Sequence, residues 1–377
     1  MEISVIEVST KNHVVMILNW LSICELNHWK LNVIVSQECF DVLEVQLPIS
    51  TALNNILVLN QGFTVNLLKV LKFTRSSSYV VFNTVQWHFI FFIIVALKRE
   101  SLLCIHNANT WFQSYDSFLK FTTSDSYVSK LQKAKKIITR SLSYIARKLL
   151  VKLTNKISVC STNMQSHLVE CYEVTAENIM VVPFSMKMKE LKDESKFTNL
   201  TTVVFPGSVD FCRKKYNLFI QLAEHNPNVT FYLLGKMAYC NKAKSLINYI
   251  KQKNINNVIW FDDYLSQKEF DEVMLKANFL FTDIKVNYRN EQYGVSKDTG
   301  VSYLMTEYNL PLLINREFNN FDFLNFATFY FKDFSELSSA FNLLNKNNVD
   351  LQRGISKARK VISAERIAQS IKIRLNK

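Results

Sequence analysis

The chain has 377 residues, of which 48% are hydrophobic and 20% charged, so it can bury two cores and is not a disordered protein. Only six residues are glycine, and neither the G-x-x-x-x-G-K-[ST] loop nor the G-x-G-x-x-G fingerprint occurs, which excludes a glycine-rich phosphate loop. The net charge of +13 favours an anionic partner.

Along the first half of the chain, strand-like and helix-like segments alternate. Strands are predicted at Ile3–Val8, Leu31–Ser36, Asn55–Leu59, Tyr79–Asn83, Leu102–His106, Ile157–Ser161 and Ile179–Val182. Helices are predicted at His13–Trp29, Val65–Phe73, His88–Lys98 and Met164–Tyr172. Apolar strands that alternate with helices are typical of a parallel sheet covered on both faces, so we predict a doubly wound α/β domain over residues 1–184.

The segment 120–156 is the most basic part of this half, with ten lysines and arginines and a single acid, Asp125. Apolar residues recur in it at helical spacing, so we predict a basic amphipathic helix that docks on an anionic membrane surface. A solvated helix face remains an alternative. Nucleic acid is a weaker one, because no aromatic and basic interleaving accompanies the charge.

No segment predicts a membrane span or a secretion signal. The longest apolar run, Phe89–Leu97, has nine residues, and a spanning helix needs about twenty. The acidic N-terminus lacks the basic start of a signal peptide. We therefore expect a cytoplasmic protein that is peripheral on the inner face of the membrane.

Residues 185–199 are charged and lack a core pattern, which predicts an interdomain linker. A second alternating domain is predicted over 200–350 and a basic helical tail over 351–377, which would pack back on the first domain. Its strands are Thr201–Phe205, Val229–Leu234, Val258–Phe261, Phe279–Thr282, Pro311–Ile314 and Thr328–Phe331, and its helices are Lys215–Glu224, Lys242–Lys253, Gln267–Lys276, Thr299–Tyr308 and Phe334–Leu344. Two such domains in tandem place a ligand in the cleft at the carboxyl ends of their strands.

Several segments in this order resemble the GT-B glycosyltransferases. In the second half they are Val203-Val-Phe-Pro-Gly-Ser-Val-Asp210, Phe231-Tyr-Leu-Leu-Gly-Lys236, Val258-Ile-Trp-Phe-Asp-Asp-Tyr-Leu-Ser266 and the segment from Glu291 to Ile314. In the first half they are Leu103–Asn109 and Val159–Pro183. The resemblance implies two Rossmann-like domains, the first binding an acceptor and the second a nucleotide-sugar.

The resemblance also implies a donor site in the second domain. Its predicted members are Gly207, Ser208, Arg213, Lys214, Lys215, Gly235, Asp263, Tyr264, Tyr293, Gly294, Lys297, Thr299 and Gly300. Charge grows on the departing diphosphate, so cations and helix N-termini aimed at it would accelerate transfer. In the retaining branch a second glutamate follows Glu291 by eight positions, and here that position is Thr299. Whether configuration is retained or inverted therefore stays open.

His106 and Asp116 are the predicted general bases, and Glu291 is predicted to contact the donor sugar. The seven cysteines form no C-x-x-C and the six histidines no H-E-x-x-H, so no metal and no cofactor are predicted. The resulting hypothesis is transfer of a sugar from a UDP- or GDP-linked donor to a glycan, lipid-linked in the simplest case, during surface polysaccharide assembly such as O-antigen or capsule. The alternatives are a sugar-nucleotide epimerase of the same fold and a basic protein that binds nucleic acid or an anionic polymer.

Overall fold

The structure, a computed structural model, describes residues 1–60, 63–117, 130–189, 201–318, 324–344 and 348–376. Two separate parallel sheets organise these residues. The predicted basic segment therefore lies partly outside the described residues, at 120–129, and so does the predicted linker, at 190–199.

Seven parallel strands form the first sheet, in the order β3-β2-β1-β4-β5-β6-β7. They are β1 (Glu2–Glu7), β2 (Lys30–Ser36), β3 (Leu53–Leu59), β4 (Tyr79–Phe82), β5 (Ser101–Ile105), β6 (Lys156–Val159) and β7 (Ile179–Val181). The helices around them are α1 (Val14–Leu26), α2 (Gln37–Glu44), α3 (Phe63–Phe73), α4 (Phe89–Lys98), α5 (Ala108–Phe112), α6 (Lys130–Leu153) and α7 (Thr162–Tyr172).

Six parallel strands form the second sheet, in the order β10-β9-β8-β11-β14-β15, beside a separate hairpin, β12–β13. The strands are β8 (Thr202–Pro206), β9 (Thr230–Lys236), β10 (Val258–Phe261), β11 (Phe279–Thr282), β12 (Asn287–Tyr288), β13 (Glu291–Gln292), β14 (Leu312–Asn315) and β15 (Thr328–Phe331). The helices are α8 (Asn217–His225), α9 (Asn241–Gln252), α10 (Gln267–Lys276), α11 (Gly300–Tyr308), α12 (Phe334–Leu344), α13 (Asn348–Val361) and α14 (Ala364–Leu375).

Each sheet is buried on both faces because successive side chains of a strand point to opposite sides. In β1, Val5 belongs to the core on one face and Ile6 to the core on the other. In β8, Val203 and Val204 divide in the same way between the two cores of the second domain. The prediction of two doubly wound α/β domains is confirmed.

The short elements were not predicted. Helix α2 has eight residues and α5 has five, and both begin at a side-chain cap, from Ser36 and Asn107 respectively. The β12–β13 hairpin has two residues in each strand and turns at Arg289, whose φ of +56° is left-handed. Segments of this length contain only one or two periods of either pattern, which is too few for apolar periodicity to identify them.

The C-terminal tail forms two helices that contact different domains. Ile355 of α13 lies in a core of the second domain. Ile371 of α14 lies in a core of the first domain, where Asn27 Nδ2 donates to the Ala368 carbonyl (3.0 Å) and Arg374 Nη1 to the Ile179 carbonyl (2.8 Å). The chain thus returns to the domain in which it begins.

Candidate active site

The strand orders place a change of direction between β1 and β4 in one domain and between β8 and β11 in the other. Ligands of doubly wound folds bind at the carboxyl ends of strands at such points. In the second domain the loops after β8 and β11 and the start of α11 enclose a cavity of about 220 Å³. Seven of the predicted donor-site residues line it, namely Gly207, Ser208, Arg213, Lys214, Tyr293, Thr299 and Gly300.

The N-terminus of α11 faces this cavity. Thr299 occupies the cap position, and its side chain makes no capping hydrogen bond. A Cβ added to Gly300 would meet no atom within 4 Å, so the space in front of the helix is open. The N–H groups of the first turn and the helix dipole therefore form an arrangement that suits an anion.

The loop after β8 depends on two glycines. Gly207 has a φ of +81°, a left-handed conformation that glycine adopts without strain. Gly235, at the end of β9, packs directly against this loop, since an added Cβ would lie 2.5 Å from the Gly207 carbonyl carbon. The absence of a side chain at Gly235 thus allows the loop after β8 to pack directly on the end of β9.

The Lys214 side chain also stabilises this loop after β8. Its Nζ donates to the carbonyls of Pro206 (2.8 Å), Ser208 (3.1 Å) and Gly207 (3.2 Å). Burial, and to a lesser extent the charge of Arg213, lower the pKa of Lys214 to about 7. All three ammonium hydrogens are used, so Lys214 shapes the cavity wall and has none left for a ligand.

A chain of polar contacts connects the cavity to the cleft. Arg213 Nε pairs with Asp210 Oδ2 at 2.5 Å, and its Nη1 donates to the Tyr293 hydroxyl at 3.4 Å. The Tyr293 hydroxyl donates to Glu291 Oε2 at 2.9 Å, and Lys297 Nζ pairs with Glu291 Oε1 at 2.5 Å. Four predicted residues, Arg213, Tyr293, Glu291 and Lys297, are thereby brought into one network.

The first domain closes against this network. Asn107 Nδ2 donates to Glu291 Oε1 at 3.4 Å, and the Ala108 N–H donates to the Ser296 carbonyl at 2.8 Å. Asn163 Nδ2 donates to the carbonyl of Gly294 at 3.1 Å. The cleft between the domains is therefore narrow on the side of Glu291.

His106 lies at the end of β5, where it was predicted, but both of its ring nitrogens contact the first domain. Nε2 is 2.8 Å from the Asn83 carbonyl, and Nδ1 is 3.7 Å from Cys160 Sγ. Burial lowers the pKa of His106, and the charge of Lys297 adds to the effect. A neutral ring held at both nitrogens does not offer a free atom to an acceptor.

His13 lies beside His106 and was missed. It follows β1 in a 3-10 turn, and its ring centroid is 4.4 Å from that of His106. Its Nδ1 is 2.8 Å from Thr84 Oγ1, whose hydroxyl contacts the buried Glu7. The sequence did contain a signal for this position. Glu7 ends β1 and His13 follows it by six residues, so both residues lie at the carboxyl end of the sheet, where ligands of such folds bind.

Other predicted residues lie apart from this network. Asp116 is exposed on the side of α6, near Tyr144. The Lys215 side chain is exposed, and its backbone N–H donates to the Asp283 carbonyl. Lys236 pairs with Asp263 at 3.3 Å and lies 5.2 Å from the ring of Tyr264, which is 77% exposed at the end of β10.

No protein-family model and no curated protein matches the sequence. Solved structures do match over the whole chain. They include the protein HepE of Anabaena in complex with UDP (TM-score 0.63, 13% identity, 100% of both chains). A glycosyltransferase of Rickettsia africae matches with a TM-score of 0.64 and 9% identity over 99% of this chain and 97% of that one. The UDP-GlcNAc 2-epimerase of Neisseria meningitidis, bound to UDP-GlcNAc, matches with a TM-score of 0.58 and 12% identity over 100% of both chains.

These likenesses show the fold. The two doubly wound domains and the cleft between them are the GT-B fold, as the sequence motifs predict.

In the part of the chain that the structure describes, no helix is long and apolar enough to cross a membrane. Within the same ranges, no cluster of three or more His, Cys, Asp or Glu side chains is arranged to hold a metal ion.

Proposed function

We propose that the protein is a glycosyltransferase that moves a sugar from a UDP- or GDP-linked donor to a glycan acceptor. The observation that carries this proposal is the cavity at the ends of β8 and β11, where the N-terminus of α11 and Arg213 face the same space. HepE, whose sequence is 13% identical to this chain, was solved in complex with UDP. UDP is therefore the first nucleotide to test.

The donor's diphosphate would leave with an electron pair and gain negative charge as it does so. Fixed N–H dipoles at Thr299 and Gly300 and the guanidinium of Arg213 would stabilise that charge more than the ground state, which is how such groups accelerate a reaction. Lys297 would join them once it separates from Glu291. Glu291 would then be available to the sugar hydroxyls.

Thermal unfolding in the presence of UDP, GDP, CMP and a short oligonucleotide tests the donor site. A ligand at a hundred times its Kd stabilises the folded state by about 2.7 kcal/mol, so one nucleoside diphosphate should raise the Tm while the oligonucleotide does not. Stabilisation by the oligonucleotide alone would favour the basic binding protein. The variant Arg213→Ala should remove the response to UDP, and Lys268→Ala, on the exposed side of α10, should keep it.

An epimerase of the same fold is a second candidate, because the Neisseria 2-epimerase shares the architecture over the whole chain. The two activities differ in their products. A transferase releases the nucleoside diphosphate from a sugar nucleotide, by slow hydrolysis when no acceptor is present. An epimerase converts UDP-GlcNAc to its 2-epimer with the nucleotide still attached. Proton NMR of an incubation with UDP-GlcNAc and UDP-glucose separates these outcomes.

We also propose that the first domain docks on an anionic membrane and meets a lipid-linked acceptor there, as in O-antigen or capsule assembly. A groove of about 700 Å³ runs between α4 and α6 and is lined mainly by apolar side chains. Ile90 is 74%, Leu142 63% and Ile145 61% exposed along it. Arg140 and Arg147 of α6 accompany this surface, and Arg147 lies 5.4 Å from the Phe89 ring. Apolar side chains beside cations suit the boundary of an anionic leaflet.

Flotation with vesicles tests the docking. The protein should float with vesicles that contain phosphatidylglycerol and not with pure phosphatidylcholine, and high salt should weaken the binding. The variants Leu142→Glu and Ile145→Glu should reduce flotation. Leu275→Glu, at an exposed position of α10 in the other domain, is the matched control and should have no effect. Equal flotation of all variants would contradict this surface.

A further inference from the structure

Among the described residues, β3 forms the longest outer edge of either large sheet. It has seven residues, Leu53–Leu59, and lies last in the first sheet, with β2 as its neighbour on one side. On the other side, the described part of the chain places no strand. An edge strand presents a row of N–H and C=O groups that are open to pairing, so β3 can accept one more strand.

The three other edges of the two large sheets are shorter, and each has charged side chains beside it. Strand β7 has three residues and is covered by α14, whose Arg374 Nη1 donates to the carbonyls of Ala176 (3.0 Å) and Ile179 (2.8 Å). Strands β10 and β15 have four residues each and are followed directly by Asp262-Asp263 and by Lys332-Asp333. Charges at an edge discourage pairing with another chain, and β3 lacks them.

The surroundings of β3 are uncharged and partly apolar. No charged residue occurs from Val45 to Leu68, although 20% of the chain is charged. Several apolar side chains of this stretch are exposed, since Ile49 is fully exposed, Val45 86% and Leu68 77%. Within β3, Ile56–Val58 are only half-buried, whereas their partners in β2 are buried. Depletion of charge around exposed apolar side chains is typical of the centre of a protein interface.

A second copy of this chain is the partner that these features favour. A strand that pairs antiparallel with its own copy is complementary to it by symmetry, because a two-fold axis brings the donors of each copy to the acceptors of the other. The net charge of +13 makes two copies repel each other wherever their charged surfaces meet. The uncharged surface around β3 allows them to approach. A partner attracted by charge would be acidic and would bind the basic surfaces instead.

We propose that two copies of the chain form a dimer in which their β3 strands pair antiparallel about a two-fold axis at Leu57. This axis places Leu57 opposite its own copy and Ile56 opposite Val58 of the partner subunit, so aliphatic side chains meet on both faces of the joined sheet. An axis at Ile56 would instead oppose Asn55 to Leu57 of the partner subunit. The dimer goes beyond the proposed transferase activity and does not depend on it.

Light scattering of the full-length protein on a sizing column tests the dimer. At micromolar concentration the wild type should have twice the mass of the chain. High salt should not dissociate it, because the contact is uncharged and salt screens the repulsion between the copies. Asn55→Lys adds a charge at an exposed position of β3 and should raise the dimer's Kd at least about 10-fold, since the ammonium would lie unpaired in the interface.

The matched control is Ile259→Lys on β10, an exposed position on an edge of the other sheet. It should keep the mass of the wild type. Both variants should keep the circular dichroism spectrum of the wild type, because each charge is added at an exposed position. A monomeric wild type at every concentration and salt, or equal masses of the two variants, would overturn the proposal.

Disulfide cross-linking tests the position of the axis. Residues directly opposite in an antiparallel pair have Cα atoms about 4.5–5.5 Å apart, within the range that a disulfide spans. Mild oxidation should therefore cross-link Leu57→Cys well above the wild type, whose own cysteines give the background. Asn55→Cys would lie about 13 Å from its copy and should stay at that background.

The cross-linking has two contrary outcomes. Stronger cross-linking of Asn55→Cys than of Leu57→Cys would refute the axis at Leu57. A wild type that stays monomeric alone and captures an added strand peptide on β3 would show that the edge is open to a different partner, and would overturn the second copy as its occupant.

Discussion

Lys297 Nζ and Glu291 Oε1 lie 2.5 Å apart, and this ion pair occupies the cleft between the domains. Both side chains are mostly buried, and Asn107 of the opposite domain also donates to Glu291 Oε1. The charge of each side chain is thus paired with that of the other. The proposed donor would compete for this pair, because its diphosphate would attract Lys297 and its sugar hydroxyls would bind Glu291.

This competition predicts opposite effects of two substitutions on UDP affinity. Hydrogen bonds to charged groups contribute about 1.5–3 kcal/mol, so Lys297→Ala should weaken UDP binding roughly 10-fold or more. Glu291→Gln should leave UDP binding unchanged or strengthen it a few-fold, because Lys297 is then free to meet the phosphates. Titration calorimetry with UDP measures both. Weaker binding by Glu291→Gln would contradict the competition.

The position of Arg213 predicts an effect that depends on phosphate. Arg213→Ala should weaken binding of UDP much more than binding of uridine, because the guanidinium faces the cavity and not a base. Arg213→Lys should restore little, since an ammonium cannot contact Asp210 and Tyr293 in the geometry of the guanidinium fork. Calorimetry with both ligands provides the comparison. Equal losses for the two ligands would place Arg213 away from the phosphates.

Two glycines give a matched pair of stability predictions. Gly235→Ala would bring a Cβ within 2.5 Å of backbone atoms of Gly207, so the free energy of unfolding should fall by about 1–3 kcal/mol, the usual cost of overpacking, and UDP binding should weaken. Gly300→Ala meets no atom within 4 Å and should leave the stability unchanged or slightly higher. Urea unfolding distinguishes the two. Equal stability of the variants would refute the close packing of β9 on the loop.

Asp298 predicts a pH dependence. Burial raises its pKa to about 6, against hydrogen bonds that include one of 2.5 Å from the Tyr303 hydroxyl. The folded state therefore binds the proton more tightly than the unfolded state, and the stability from this group is complete below about pH 4 and lost as the pH rises through 6. The pKa rises from 3.8 to about 6, and each pKa unit corresponds to about 1.4 kcal/mol, so the loss is about 3 kcal/mol.

The difference in free energy of unfolding between the wild type and Asp298→Asn isolates this contribution. The wild type should lose stability relative to the variant between pH 4 and pH 7, since asparagine does not titrate. Chemical denaturation at a series of pH values gives the difference directly. A constant difference over this range would mean that Asp298 is not protonated in the folded state.

Local sequence was enough for the parts of this protein that repeat a simple pattern. The apolar strands around Val5 and Val203 identify buried parallel sheets, because a strand covered on both faces must be apolar along its length. The order of such strands and helices implied two domains. Gly207 and Gly300 marked the cavity at the ends of β8 and β11, because glycines at strand and helix ends are informative in a chain with only six.

Only the tertiary structure showed which residues far apart in the sequence contact each other. Thr84 lies 71 residues from His13 in the sequence. The parallel pairing of β1 with β4 brings their loops together, so that His13 Nδ1 lies 2.8 Å from Thr84 Oγ1. The same applies to Lys214, whose sequence indicates a free cation and whose ammonium in fact holds three loop carbonyls. Residue type and local pattern determined which groups can ionise, whereas burial and hydrogen-bond partners, which depend on distant segments, decided which of them are free to react.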